Sequence, residues 1–341
     1  MTDFPALAQP ILVTGGLGFI GRHSVEQLLQ RGQTVAVFDV PEARVPEGWG
    51  ARVRVLRGDI ANFDDVQTAL AGVRTVLHTA AVVSDWAPAA EHERVTVEGS
   101  RHVFAAAART GARVALLSSC AVYGEHIGRR ELFEDLELGR PIGLYSQYKQ
   151  KQEALAWQYQ REHGLALSVV RPSKVFGPGS RPWVHEAAAA LKRGAPTLIG
   201  GGHYIPGLVY VDNLVDILLR AAALPQAVGR VYNGYDGTPA TLRRYFTDLA
   251  RIVGAPAPRT MPRWFAHILA AVSGPAWRIL RLRSRPPLTR DVLRMISSEY
   301  RISQTRTRQE LGFTPLVSYE EGLRRVDAYW RGLETHLNTS V

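Results

Sequence analysis

The sequence predicts an α/β protein, a doubly wound parallel sheet followed by a smaller C-terminal lobe. Three observations predict it. Within Pro10–Gly32 a short apolar strand, a glycine-rich turn and an amphipathic helix follow one another. Short apolar runs then alternate with helical stretches at the pace of βα units as far as Arg171. Beyond Arg171 the strands become short and scattered, and arginines interleave with apolar residues. At 341 residues the chain can hold one large domain or two closely joined ones. The expected division is 1–171 for the first unit and 172–341 for the lobe, with some later segments returning to the main sheet.

The opening unit runs from the strand Ile11 to Thr14 into a helix that ends at Gly32. Gly15, Gly18 and Gly21 fall three apart, and Gly16, Gly18 and Gly21 satisfy G-x-G-x-x-G. In such a turn one glycine takes a backbone geometry that side chains block. Another lets a pyrophosphate approach the main chain, and a third lets helix and strand pack closely. The helix start at Phe19 and Ile20 then offers free N–H groups and a positive dipole end to phosphates. Strand, glycine turn and helix in that order are the context a dinucleotide site requires. The next apolar run, Gln33–Asp39, ends in a carboxylate 18 residues past Gly21. At that place it can accept hydrogen bonds from the adenosine ribose and would repel a 2′-phosphate, which favours NAD over NADP. Arg44, five residues on, could accommodate the phosphate and keeps NADP as the second candidate.

Further strands are expected at Arg52–Leu56, Thr75–His78, Arg113–Ser118 and Leu165–Arg171, with helices at Asp64–Ala71 and Glu91–Thr110. Ligands in such a sheet lie at the carboxyl ends of the strands, so the loops after His78, Ser118 and Arg171 matter most. The first carries Ser84-Asp85-Trp86, which either faces a substrate or simply closes the loop. Past the loop that follows Ser118 comes a helical stretch with Tyr145 and Lys149 four apart, on one helix face. An unperturbed phenol titrates near pH 10, and a lysine one turn away lowers that value by favouring the phenolate. Such a pair can pass a proton to or from a substrate oxygen while a strand-end serine holds that oxygen.

Together these segments resemble the extended short-chain dehydrogenase/reductase family. The resemblance rests on Thr14-Gly15-Gly16-Leu17-Gly18-Phe19-Ile20-Gly21, Gly58-Asp59, His78-Thr79-Ala80-Ala81, Ser118 to Gly124, Tyr145 to Lys149 with Glu153, and Arg171 to Gly179. It continues through Val209-Tyr210-Val211-Asp212-Asn213 to Leu311-Gly312-Phe313-Thr314-Pro315 and so covers nearly the whole chain. It implies a Rossmann sheet, a C-terminal substrate-binding lobe, and Tyr145 as the catalytic acid/base. Lys149 would bind the nicotinamide ribose and tune Tyr145, and Ser119 would polarise the substrate oxygen, with Ser118 the lesser candidate. The dinucleotide would lie on Gly15, Gly18, Phe19, Ile20, Gly21, Asp39, Asp59, Ile60, Ala80, Tyr145, Lys149 and Pro172, with Asp59 at the adenine. Pro172 and Lys174 would flank the nicotinamide. Ser84, Trp86, Tyr123 and Lys174 are the candidates for substrate contact, and no metal site is expected. The sequence departs from the family at Thr96, where asparagine is usual, and at Tyr148, where serine or threonine usually precedes the lysine. The C-terminal half resembles the 3β-hydroxysteroid dehydrogenase branch more than the sugar-nucleotide branch. The expected reaction is therefore interconversion of a secondary alcohol and a ketone on a large apolar molecule, sterol-like or 3-oxoacyl-like. The alternative is a sugar-nucleotide epimerase or dehydratase with tightly bound NAD.

Composition bounds the rest. The net charge is +10, and from Arg243 onward 17 arginines face 8 acids, a net +9 in the last hundred residues. No helix-turn-helix, RNP or zinc-finger pattern accompanies that charge, so nucleic acid is not the expected partner. No run reaches the ~20 apolar residues of a membrane span, and no basic segment leads into an apolar run at the N-terminus. The single cysteine, Cys120, is expected to be buried packing and fits a reducing compartment. Pro262–Leu282 carries Trp264, Phe265, Ile268, Leu269, Val272 and Trp277, then Arg278, Arg281 and Arg283. That pattern suits the edge of an anionic bilayer, a lid over a greasy substrate, or a core helix with arginines in water. Gly274-Pro275 is expected to break the stretch. The expected location is cytoplasmic, with peripheral contact at the inner membrane face, and a homodimer is the candidate assembly.

Overall fold

The computed structural model describes residues 4–280, 286 and 288–339. The chain opens with β1 (Ile11–Thr14), fully buried, and crosses through α1 (Phe19–Gln30) to β2 (Val35–Asp39) and on to β3 (Val53–Arg57). Helix α2 (Phe63–Ala69) starts on Asn62, whose side chain accepts the Asp64 and Asp65 N–H groups, and leads to β4 (Thr75–His78). A continuous helical run follows as α3 (Ala89–Glu91), a π-helical stretch His92–Glu98 and α4 (Gly99–Thr110), then β5 (Arg113–Leu117). Helix α5 (Gly143–His163) returns the chain to β6 (Leu167–Pro172). Both α4 and α5 end on a glycine in the left-handed conformation, Gly111 and Gly164, where other residues are disfavoured.

The second half contributes β7 (Lys174–Phe176), α6 (Ala187–Lys192), β8 (Pro196–Ile199), β9 (Leu208–Tyr210), α7 (Val211–Ala223) and β10 (Arg230–Gly234). It ends with α8 (Leu242–Ile252), β11 (Arg259–Met261), α9 (Arg263–Ile279), α10 (Arg290–Ser297), α11 (Thr305–Leu311) and α12 (Tyr319–Thr339). The seven-stranded sheet is parallel throughout, in the order β10-β6-β5-β4-β1-β2-β3. Its order reverses between β1 and β4, which opens a crevice for a ligand at their carboxyl ends. β10 and α7 belong to this sheet layer although they lie in the second half. Ile217, Leu218 and Leu219 of α7 are wholly buried, and His23 and Gln27 of α1 hydrogen-bond to Asp212 at its start. The lobe has two small sheets of its own, β7–β9 and β8–β11.

The Ser318 hydroxyl accepts the Glu321 N–H and starts α12. The break expected at Gly274-Pro275 does not occur, because α9 runs through Pro275. Proline removes one intrahelical hydrogen bond and crowds one carbonyl, which an exposed helix near its end can absorb. This helix also packs by its small residues. Ala266, Ala270 and Ser273 are buried, whereas Trp264, Phe265, Ile268 and Val272 face outward. Arg281 and Arg283 lie outside the described residues.

Candidate active site

The glycine turn is shaped by close contacts that only hydrogen permits. Gly15 sits at φ +68°, and a Cβ there would come within 2.9 Å of the Ala80 backbone, at the end of the neighbouring β4. A Cβ on Gly21 would lie 2.2 Å from the Gly15 carbonyl oxygen, so α1 starts directly against the turn. No side chain caps α1 and no acid occupies its first turn, which leaves its N–H groups to an anion. Phe19 and Ile20 form that first turn, and Phe19 stacks edge-on to His23. Asp39 closes the turn from β2: one carboxylate oxygen accepts the Leu17 N–H at 2.8 Å and the other the Val40 N–H at 2.9 Å. Each oxygen keeps a lone pair for a ribose hydroxyl. Arg44 is exposed, and its carbonyl accepts from Arg22. Asp59 accepts the Ala61 N–H and pairs with Arg94, while buried Ile60 fills the space left by Gly99. The cradle thus fits a dinucleotide: the glycine turn for the pyrophosphate, Asp39 for the ribose, and Asp59 with Ile60 along the adenine edge.

At the end of β5 the two serines separate. Ser118 is buried and donates to Glu153, which grips Arg171 through Arg171 Nη2 at 2.7 Å and Nε at 3.0 Å. Ser119 points the other way: its Oγ accepts the Ala121 N–H, and Ser146 Oγ, next to Tyr145, donates to the Ala121 carbonyl at 2.7 Å, which brings Tyr145 to the same loop. Tyr148 lies flat on His92, ring centroids 5.1 Å apart, with Lys151 over its ring. Of the two tyrosines near the lysine, therefore, Tyr145 is the one brought to the serine loop. Burial raises the Tyr145 phenol, and Ser119 only partly opposes it. That reverses the direction expected from Lys149, because burial penalises the phenolate and the ammonium is turned toward Leu117 and Gln152.

Lys149 is held from behind by a directed chain of polar groups that spacing alone does not reveal. Its Nζ donates to the Leu117 carbonyl at 3.1 Å and to Gln152 Oε1 at 2.9 Å. Gln152 Nε2 donates to Ser100 Oγ at 2.7 Å, and Ser100 Oγ donates to the Thr96 carbonyl at 2.6 Å. Ser100 has one proton, so His78 Nε2, 2.9 Å away, must be the donor to it. His78 Nδ1 then accepts from Thr14 Oγ1 at 2.7 Å. Complete burial drops His78 to about 3, which keeps the ring neutral in that tautomer. Two of the three ammonium protons are thereby used, and one remains for the site. Gln152 is the residue whose role was missed; its only signal is its place three residues after Lys149 on one helix face.

Burial lowers Lys149 to about 8, with Glu153 opposing. Deprotonation removes the charge that would attract the dinucleotide, so cofactor affinity is expected to fall as pH climbs past about 8. A fluorescence titration of the cofactor across that range checks this, and Lys149→Met should bind weakly with no such step. The sign for stability is opposite. An unfolded lysine keeps its proton to higher pH, so this group adds stability as pH rises from about 8.

The remaining candidates divide. Ser84 Oγ accepts the Trp86 and Ala87 N–H groups, so it closes its own loop, and Asp85 accepts from Thr289 in the lobe at 2.7 Å. Pro172 ends β6, and Lys174 is buried beside Tyr300. Tyr123 is a correction. It is wholly buried and donates to Asn233 Oδ1 at 2.7 Å, with Arg171 over its ring, so its hydroxyl is spent in the core and faces no substrate. Cys120 is buried with its thiol pushed up to about 12, which makes it inert packing. Among the described residues no cluster could hold a metal ion.

A parallel sheet with a glycine cradle at its switch point, a serine just past the end of β5 and a Tyr–Lys pair on α5 defines a dinucleotide-dependent dehydrogenase class. Residues 11–233 match the NAD dependent epimerase/dehydratase family, and the chain belongs to that family, on the extended short-chain dehydrogenase/reductase branch. It is 30% identical over 330 residues to 2-alkyl-3-oxoalkanoate reductase of Stenotrophomonas maltophilia (strain K279a), across 93% of this chain and 98% of that protein. It is 27% identical over 336 residues to the decarboxylating sterol-4-alpha-carboxylate 3-dehydrogenase of Mus musculus, across 95% of this chain and 92% of that one. The NAD complex of UDP-glucose 4-epimerase from Thermus thermophilus superposes with a TM-score of 0.73 at 25% identity, covering 94% of this chain and 99% of that.

Proposed function

We propose that the protein is an NAD-dependent oxidoreductase that interconverts a secondary alcohol and a ketone on a large apolar molecule of the sterol or 3-oxoacyl kind. The observation that carries this is the docking of the α5 start against the Ser119 loop at the end of β5, where Ser146 Oγ, next to Tyr145, donates to the Ala121 carbonyl at 2.7 Å, with Lys149 buried one helical turn on. The relatives' names supply the substrate chemistry. A 2-alkyl-3-oxoalkanoate and a sterol-4-carboxylate dehydrogenated at position 3 each carry a carboxylate on the carbon next to the reacting one.

When bound, the nicotinamide supplies or accepts the hydride. Ser119 Oγ holds the substrate oxygen, and Tyr145 moves a proton at that oxygen. Burial raises the phenol, so Tyr145 carries its proton at neutral pH and can donate it to a carbonyl oxygen. Lys149, fixed by Leu117 and Gln152, directs its third proton toward the ribose and the phenol. A screen of sterols, 3-hydroxy and 3-oxo acids and nucleotide sugars, followed at the nicotinamide absorbance with NAD and NADP, tests the proposal. A net absorbance change is expected with the apolar compounds. Turnover of nucleotide sugars alone, with no net change, would establish the epimerase alternative. Tighter NADP binding would show that Arg44 outweighs Asp39.

The outward face of α9 supports peripheral contact with an anionic lipid surface. Trp264 is 66% exposed, Val272 60% and Ile268 54%, and Arg259 and Arg263 are exposed beside them. Among the described residues no helix is long and apolar enough to cross a membrane. Basic residues near an anionic leaflet contribute about 1 kcal/mol each, enough for attachment that salt weakens. The protein is expected to pellet with anionic vesicles at low salt and to be released at high salt, with Trp264→Ala reducing the pelleted fraction. A stable dimer by light scattering, with no pelleting, would mean that a second copy covers this face.

A further inference from the structure

Lys174 opens β7, two residues past Pro172, and is only 4% exposed. Its Nζ lies 2.5 Å from the Pro206 carbonyl oxygen and 2.9 Å from the centre of the Tyr300 ring. Among the described residues no carboxylate pairs with it, and Arg171 nearby is already committed to Glu153. Buried ammonium groups are normally paired, so a lone one is a standing cost to the fold. Burial alone pushes this amine well below its ordinary value.

Its neighbourhood adjoins the reaction site: Cys120, next to Ser119, donates its thiol to the Arg171 carbonyl at 3.2 Å, three residues before Lys174. Lys174 thus follows the carboxyl end of β6 as Ser119 follows that of the neighbouring β5. The structure leaves one amine there, one aromatic face and one exchangeable carbonyl contact.

We infer that Lys174 anchors a carboxylate borne by the substrate on the carbon next to the reacting one, so that the preferred substrates are 2-substituted 3-oxo or 3-hydroxy acids. This rests on the oxidoreductase function proposed above and adds to it the group that selects acids over neutral ketones. The incoming carboxylate takes the place of the Pro206 carbonyl as acceptor. One ammonium matches one carboxylate, whereas a nucleotide diphosphate carries more negative charge than one ammonium balances. A neutral amine that meets a carboxylate takes up a proton, so binding above neutral pH draws one from the buffer.

The test compares 2-tetradecyl-3-hydroxyhexadecanoic acid with its methyl ester, in wild type, Lys174→Met and Lys174→Gln. Turnover is read at the nicotinamide absorbance and binding of the acid by calorimetry in two buffers of different ionisation heat. The expected result is a fall of roughly 30-fold or more in both variants in the preference for acid over ester, read as the ratio of their kcat/KM values. Proton uptake at pH 8 should vanish in both. Equal losses on acid and ester, restored by glutamine, would assign Lys174 to tying down the Pro206 segment and overturn the proposal. So would a wild type that prefers the ester. If the acid binds in wild type and not in the variants yet is never turned over, the anchor stands and the reaction class fails. If the acid does not bind at all, the anchor is overturned whatever the chemistry of the site.

Discussion

Tyr145→Phe is expected to lower kcat by about 10²–10⁴-fold while leaving cofactor affinity close to wild type. The substitution removes one oxygen and keeps the ring. That oxygen lies on the α5 turn docked against the Ser119 loop and is the group proposed to give a proton to a substrate carbonyl. Nothing in the glycine cradle depends on it: the turn is closed by Asp39, Ala80 and the start of α1. Lys149→Met is expected to lose both properties, because the ammonium is proposed to serve ribose and phenol together. A single-turnover assay with a separate cofactor titration distinguishes these outcomes. The informative control is Tyr148→Phe. The Tyr148 ring stacks on His92, so its hydroxyl has no path to the Ser119 side of the helix, and near-normal activity is expected. A dead Tyr148→Phe with an active Tyr145→Phe would shift the catalytic register by three residues and overturn the assignment.

What the sequence makes legible here is what is local. The glycine turn, Asp39 at a strand end and the Tyr145–Lys149 spacing are written within a few residues, and the family's relatives agree with the fold and oxidoreductase class they imply. Groups that meet across the chain are not legible. Gln152 and Ser100 are 52 positions apart, and Tyr123 reaches Asn233 over 110, so neither partnership leaves a mark on spacing. The serine pair illustrates the boundary. Ser118 and Ser119 are chemically identical in the sequence, and only the strand's alternation with Glu153 behind it sends one into the core and the other to the site. Helix α9 fails to declare its orientation for a different reason. Its small residues and its large apolar ones both form stripes at helical spacing, and packing chose the alanines.

The second large effect concerns the ion pair beneath the catalytic helix. Glu153 and Arg171 are almost fully buried, joined by three hydrogen bonds, with Ser118 donating to the same carboxylate. Glu153→Gln keeps the shape and removes the charge. Arg171 is held well above its ordinary value by that carboxylate and cannot lose its proton to escape. The variant therefore strands a buried guanidinium, with an expected cost of about 3–5 kcal/mol. Chemical denaturation should show the midpoint falling with little change in slope. Because Glu153 sits one turn past Lys149 on α5, the same change should loosen the helix that carries Tyr145 and lower activity even below the melting range. Replacing both partners by methionine is the decisive comparison, since the desolvation cost of both charges disappears together. The double variant is expected to recover most of the lost stability while leaving Ser118 without its acceptor. If Glu153→Gln is as stable as wild type, the pair contributes neither cohesion nor alignment, and the fixed position of α5 must come from its apolar contacts with α4 alone.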